Sequence, residues 1–406
     1  MRTTPQKQAR PLGLYLHIPF CASKCPYCDF YSVTDLSLID RYLAALLRQM
    51  AEYAPQAKAY VVDSVFVGGG TPSLLSRPQW DRLFKGIHKH FKLAQDAEIT
   101  VEANPDSVDR RTLVRLRKLG VNRLSIGAQS FDDAILQRIG RIHSAGQILQ
   151  AVEAARKARF ENLNLDLMFG LPDQSPAQFF DSLQQAFDLG VQHLSAYGLR
   201  VEEDTPFGRL GDLLTLPDED TWAGEYLELI ARTRAAGYYQ YEISNFCLPG
   251  HASRHNLKYW TLQEYLGLGP GAHSYLGNRR FAFAKDLLRY CQVMESGEGS
   301  PVTELFEVAP KDALADSIML SLRLTRGIDT GEFAKTFRRD FERMMGDKLN
   351  KYLSAGLMVR EGTRYRLTPQ GFCVSNSILA DLIDVDAEAE AARLQPAALL
   401  RSRPAD

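Results

Sequence analysis

Short apolar runs alternate with stretches of helical periodicity over the first two thirds of the chain. Residues 12–18 read as a strand, after which Ile39, Tyr42, Leu43, Leu46, Leu47 and Met50 recur at helical spacing on one face. Residues 61–67 form a second strand that runs into Gly68-Gly69-Gly70, and the pattern of 78–91 is helical. The alternation continues with strands at 98–102, 123–127, 162–168 and 193–197. Helices are expected at 109–119, around Ile148 to Val152, at 179–189 and at 222–236, with Gly120 and Gly190 as stop signals. Six strand–helix units in series imply parallel strands with helical crossovers, which fits an open doubly wound sheet or a barrel or partial barrel. Around 239–275 the pattern breaks into a Gly-, Asn- and aromatic-rich stretch that reads as a binding loop region. Beyond it, helices followed by two short strands (353–359 and 364–368) suggest a winged helix. The expected division is a tail at 1–11, a strand–helix unit at 12–238, a connecting region at 239–300, a C-terminal unit at 301–385 and a tail at 386–406.

Composition narrows the classes. The chain has 406 residues, 45% of them hydrophobic, enough for a large core. Lys plus Arg number 48 and Asp plus Glu 49, a net charge of −1, so no overall positive field suits the chain to gripping nucleic acid. The basic first residues are followed by no apolar run, and no stretch approaches the ~20 apolar residues of a membrane helix, so a cytoplasmic protein is expected.

Three of the six cysteines lie within eight residues, in Cys21-Ala22-Ser23-Lys24-Cys25-Pro26-Tyr27-Cys28. In a reducing compartment such a cluster suggests metal or redox chemistry rather than disulfides. Thiolates ligate iron–sulfur clusters, which normally take four ligands. Three cysteines on a four-iron cube leave one iron open to a small molecule. The alternative is a structural zinc site with His17 as the fourth ligand.

The loop follows the first strand, on the side where parallel (β/α) folds place their chemistry. The other strand ends are polar as well. Strand two delivers Gly70 and Thr71, strand three Glu102 and Asn104, strand four Gln129, strand five Asp166, and strand six Ser195 and Tyr197 with Arg200 beyond; Arg141 is a further candidate. Bare glycine backbone lets a ligand approach closely, carboxylates bind ribose hydroxyls, and an arginine can hold a carboxylate. Each such residue alone is more often a turn or a helix cap; the coincidence beside a cysteine loop favours function.

These segments resemble radical-SAM proteins of the oxygen-independent coproporphyrinogen III oxidase group, in its heme-chaperone branch, over about residues 12–379. The resemblance rests on Tyr-Leu-His-Ile-Pro-Phe-Cys, the three-cysteine loop, Gly-Gly-Gly-Thr-Pro-Ser, Glu-Ala-Asn-Pro, Gly-Ala-Gln-Ser-Phe, Gly-Arg-Ile-His and Asp-Leu-Met-Phe-Gly-Leu-Pro. It implies an α/β fold, a radical-SAM partial (β/α)6 TIM-like barrel with a C-terminal helical or winged-helix-like domain. It further implies a 4Fe-4S cluster on Cys21, Cys25 and Cys28, with S-adenosylmethionine chelating the open iron. By this likeness Tyr15 and Tyr27 flank the cluster and cofactor, Gly70 and Thr71 touch the methionine part, and Glu102, Gln129, Arg141 and Asp166 contact the rest. The oxidase has a further cysteine where this chain has Phe30, and a longer segment ahead of its first strand, which counts against decarboxylation of coproporphyrinogen III.

His255-Asn256-Leu257-Lys258-Tyr259-Trp260 resembles the His-Asn-x-x-Tyr-Trp segment of the chaperone branch, which implies a heme contact with His255 as axial ligand. The plainer reading is a structural loop with a hydrogen-bonded histidine. The expected function is binding of heme and its delivery to receiving (respiratory) proteins. A radical enzyme acting on a porphyrin or heme is the alternative, and a zinc-stabilised binding module a weaker one. Expected partners are heme or porphyrin, heme-receiving proteins, an electron donor such as a flavodoxin or ferredoxin, and a second copy of the chain in a homodimer. No nucleic acid is expected, because the winged-helix-like end carries no clear basic recognition helix.

Overall fold

The computed structural model describes residues 9–383, so the expected tail at 386–406 and most of that at 1–11 lie outside the described residues. Six parallel strands form the centre of one large sheet: β1 (Arg10–Ile18), β2 (Tyr60–Gly69), β3 (Leu93–Ala103), β4 (Arg123–Gln129), β5 (Asn162–Phe169) and β6 (His193–Gly198), adjacent in that order. Each expected strand is present, generally longer by a residue or more.

The stretch expected to be loop is instead built of short elements that extend both edges. β7 (Tyr239–Glu242) and β8 (Asn245–Cys247) join at β6, while β9 (Tyr265–Leu268) pairs with β1 and carries β10 (His273–Leu276), β11 (Arg279–Phe283) and β12 (Val302–Glu307) beyond it. These strands are too short, and too interrupted by glycine, to show a period in the sequence. Because β12 belongs to the large sheet, the C-terminal unit begins after it rather than at 301. That unit pairs β13 (Ile328–Asp329), β15 (Arg364–Leu367) and β14 (Met358–Glu361), in that order, against helices at Thr330–Phe337 and Asp347–Ser354. Among the described residues no strand pairing joins the two edges of the large sheet, so the barrel is partial.

Strand alternation sets what the barrel holds. Leu12, Leu14, Leu16 and Ile18 of β1 are fully buried in the outer core, with Tyr42, Leu43, Leu46 and Met50 of the first helix. The residues between them, Gly13, Tyr15 and His17, stand in register with Ser64, Phe66 and Gly68 of β2. On the far side Glu102, Ser125, Asn164 and His193 form one register row across β3 to β6, and Gly127, Asp166 and Ser195 the next. The alternating set is therefore largely polar, and its members satisfy one another. Asn164 donates to Ser125 Oγ (2.6 Å) and Asp166 Oδ1 (2.8 Å), while His193 Nδ1 bonds Asn164 Oδ1 (2.6 Å) and its Nε2 meets the Tyr241 hydroxyl (2.8 Å).

The helix Arg254–Trp260 plugs this interior beside the first halves of the strands. Glu98 accepts the backbone N–H groups of Arg254 and His255 (3.1 Å each) at the helix N-terminus. Lys258, with a side chain only 2% exposed, pairs with Asp63 at 2.8 Å. Breaking a buried ion pair from one side leaves an uncompensated charge. Asp63→Asn is therefore expected to destabilise the protein by about 3 kcal/mol, read as a fall in the thermal midpoint. Asp63→Asn with Lys258→Met should recover most of that loss, and a single variant with an unaltered midpoint would show that the plug is not held this way.

Candidate functional site

All three clustered cysteines are free and half-buried in the loop after β1. Neighbours on every side fix that loop. Cys21 N–H donates to Val33 O (3.0 Å), Val33 N–H to Pro19 O (2.8 Å), and Phe207 N–H to Pro26 O (3.0 Å). Gly140 sits so close beneath Pro26 that a Cβ there would lie 2.7 Å from the proline ring. Burial and the neighbouring Cys25 and Cys21 raise the Cys28 thiol above its ordinary pKa.

A hydrogen-bonded bridge joins two of the thiols. Thr71 Oγ1 donates to Cys21 Sγ (3.6 Å) and accepts from Asn104 Nδ2 (3.3 Å). Asn104 Oδ1 accepts from Arg141 Nη2 (2.8 Å), and Arg141 Nη1 donates to Cys25 Sγ (3.7 Å). Arg141 also holds the Gly127 carbonyl at the end of β4 (2.9 Å). Burial opposes its charge, but the Tyr27 hydroxyl and the Cys25 thiol beside it act the other way, and its pKa is raised. Its buried Nε has no partner, a donor left for a ligand. Asn104 was visible in the sequence only as a polar strand end; its position between Thr71 and Arg141 follows from the parallel register.

The remaining expected residues surround the same hollow. Gly70 donates to Ile18 O (2.8 Å), and a Cβ on it would meet Phe20 O at 2.5 Å, so only glycine lets β2 pass the cysteine loop. Gln129 follows a bulge in β4 and has φ 65°, a left-handed conformation uncommon for glutamine. Tyr27 packs beside Phe207, and burial raises its phenol. The Tyr15 hydroxyl bonds His17 Nδ1 (3.0 Å). Glu102 accepts the Gly69 N–H (3.0 Å), and burial, with Asp166 nearby, pushes its pKa up to about 7. Burial also raises Asp166, against the donors Ser195, Asn164 and Ser125. Arg123, 1% exposed at the start of β4, tempers both carboxyl groups. Sequence reasoning missed Arg123, although its alternation with Ser125 and Gly127 was the available signal.

Comparison with known proteins places this geometry. The Radical SAM superfamily model matches residues 15–186 and the HemN C-terminal domain model residues 308–374. The heme chaperone HemW of Bacillus subtilis is 36% identical over 90% of this chain and 97% of its own length, and that of Mycobacterium tuberculosis 37% identical over 92% and 95%. The chain belongs to the HemW family. Its fold is similar to that of coproporphyrinogen III oxidase HemN from Escherichia coli, with a TM-score of 0.82 at 25% identity over 92% of this chain and 90% of that one. A radical-SAM domain implies a 4Fe-4S cluster and S-adenosylmethionine, and the donor set fits both: three free thiols at the rim of a polar hollow, two of them already held by Thr71 and Arg141. No helix among the described residues is long and apolar enough to cross a membrane.

Two alternatives fare differently from the family's site. The zinc reading lacks its fourth ligand, because His17 Nε2 is engaged by Tyr31 O (2.8 Å) and Nδ1 by Tyr15. Among the described residues no three His, Cys, Asp or Glu side chains converge on a single ion. His255, expected to face heme, is 0% exposed inside the plug helix, with Nδ1 against Ser64 Oγ (3.0 Å) and Nε2 against the Tyr259 hydroxyl (2.9 Å). Burial lowers its pKa to about 3. In this conformation it is the hydrogen-bonded structural histidine of the plainer reading, and Trp260 is only half-buried.

Glu102 yields a pH prediction. A carboxyl whose pKa rises on folding stabilises the native state below its unfolded value and loses that contribution as pH climbs through its folded value. Glu102→Gln is therefore expected to be more stable than the parent at pH 8, by on the order of 2–3 kcal/mol, and equal to it near pH 4. Parallel unfolding curves at both pH values test this; a variant less stable at pH 8 would mean that Glu102 is ionised and paired.

Proposed function

We propose that the chain is a cytoplasmic heme chaperone built on a radical-SAM site, which binds heme and passes it to receiving proteins, respiratory proteins among them. The observation that carries this reading is the thiol trio braced by Thr71, Asn104 and Arg141, in a chain similar over about nine tenths of its length to proteins named heme chaperone. In this reading Cys21, Cys25 and Cys28 hold a 4Fe-4S cluster. Tyr15, Tyr27, Gly70, Thr71, Glu102, Gln129, Arg141 and Asp166 surround S-adenosylmethionine. When bound, the cluster supplies a low-potential electron and an open iron corner for the cofactor's amino and carboxylate groups. The protein contributes placement. Arg141 Nε is a spare donor for a carboxylate, Glu102 and Asp166 favour a cation or hydroxyls in the hollow, and Gly70 keeps the backbone close.

Heme contact has support at the rim of the site. Phe30, 69% exposed two residues past Cys28, and the exposed Ile142 and Leu213 lie in the segments that follow β1, β4 and β6. Exposed apolar groups around a polar site suit a flat amphiphile. Ligation by His255 would require the helix Arg254–Trp260 to leave its seat.

Similarity of fold to the coproporphyrinogen oxidase favours a second reading, porphyrin oxidation, against which stands Phe30 in place of the oxidase's extra cysteine. Anaerobic reconstitution is expected to give about four irons per chain and a heme Soret band on titration with hemin, with no protoporphyrinogen formed from coproporphyrinogen III under reducing conditions with S-adenosylmethionine. Product formation would overturn the chaperone reading. Hydrogen exchange across Arg254–Trp260 should rise on heme binding if His255 ligates; a full Soret band with unchanged exchange would remove His255 from the heme site.

A further inference from the structure

A groove of about 370 Å³ lies outside the site, lined by Arg77, Arg110, Arg111, Val114, Arg115 and Lys118. Five of its six lining residues are cationic, in a chain whose net charge is −1. Little neutralises them. Asp81 pairs with Arg115 (2.5 Å), and Asp109, with Arg77 nearby, is occupied as the cap of the Arg110–Lys118 helix, accepting from Arg111 N–H (2.7 Å) and Thr112 N–H (3.0 Å). Arg77, Arg110, Arg111 and Lys118 form no ion pair among the described residues.

Three of these cations occupy unfavourable places. Arg77 is the first residue of the helix Arg77–His90, and Arg110 and Arg111 are the first two of Arg110–Lys118. The helix dipole puts partial positive charge there, so folding stability favours acids at these positions. Concentrating arginines on two adjacent helix starts makes a positive field that stability does not require.

Two turns tie the groove to the thiol bridge. The groove's two helices spring from the turns Pro72–Leu74 and Pro105–Ser107, whose Ser73 and Ser107 hydroxyls bond each other. Asn104 N–H donates to Ser73 Oγ (3.2 Å), and Asn104 leads through Thr71 to Cys21. A macromolecule seated on the groove would thus rest on the helices that follow the turns bonded to Asn104 and, through it, to Thr71 and Cys21.

We propose that this groove is the docking surface for a small acidic electron-carrier protein that reduces the cluster, an inference that rests on the cluster reading above. With a flavodoxin as carrier, the anionic flavin hydroquinone loses one electron and becomes the neutral semiquinone, and the oxidised cluster gains that electron; no bond or proton moves. Opposed charges steer such transient encounters, and salt weakens them.

The test uses the reconstituted, cluster-loaded protein and flavodoxin. Arg110→Glu with Arg111→Glu places acids where the helix dipole welcomes them, so the fold is retained. Binding of oxidised flavodoxin, followed by flavin fluorescence, is expected to weaken about tenfold or more in this variant at low salt. The rate of cluster reduction by flavodoxin hydroquinone should fall in parallel, and reduction by dithionite should be unchanged. Arg110→Lys with Arg111→Lys should behave as the parent. Unchanged flavodoxin affinity in the charge-reversed variant would overturn the proposal, as would loss of binding to anionic phospholipid vesicles with no change toward flavodoxin. Preparations without iron–sulfur absorption would instead count against the cluster reading itself.

Discussion

The site depends on one chain of hydrogen bonds, from Cys21 through Thr71, Asn104 and Arg141 to Cys25. It joins loops that follow β1, β2 and β3 to the segment beyond β4, so the separation of two thiols is set by the register of four parallel strands. Each link is at least partly buried, where an unmade hydrogen bond is costly, and so each loop holds the next in place. Gly70 is part of the same constraint, because any side chain there would strike the Phe20 carbonyl and push the cysteine loop away from Thr71.

Below this rim the barrel is filled differently from a closed parallel barrel, whose interior is layered with branched aliphatic residues. Here Ser125, Asn164, Ser195, His193 and Tyr241 bond one another, and Arg123 places a positive charge among them. The network presents Asp166 and Glu102 toward the hollow, with pKa values raised by burial and held in check by Arg123. On the other side, the helix Arg254–Trp260 closes the interior with Lys258 and His255 buried and paired. The outer apolar core supplies rigidity while the interior supplies polarity.

Much of this was legible in the sequence. The outer faces of the strands follow the twofold period of Leu12, Leu14, Leu16 and Ile18, and the polar strand ends mark the site because parallel strands deliver their C-terminal ends to one face. What could not be read was partnership across the sheet. The pairing of Asn104 with Arg141 and the burial of Arg123 arise only once strands distant in sequence are in register. The segment 239–275 read as loop because its strands, such as Asn245–Cys247, are too short for periodicity and owe their conformation to the sheet edges they join. His255 was ambiguous for a related reason. An aromatic-flanked histidine looks the same in sequence whether it faces a ligand or bonds Ser64 and Tyr259 inside a plug.

The central claim is that three thiols hold a four-iron cluster and leave one iron vacant for the amino and carboxylate groups of S-adenosylmethionine. Electron paramagnetic resonance of the anaerobically reconstituted, dithionite-reduced protein, recorded with and without that cofactor, tests it most directly. A reduced-cluster signal whose g values shift on adding S-adenosylmethionine is the predicted result. A cluster signal indifferent to the cofactor, or no such signal in properly reconstituted protein, would contradict the account.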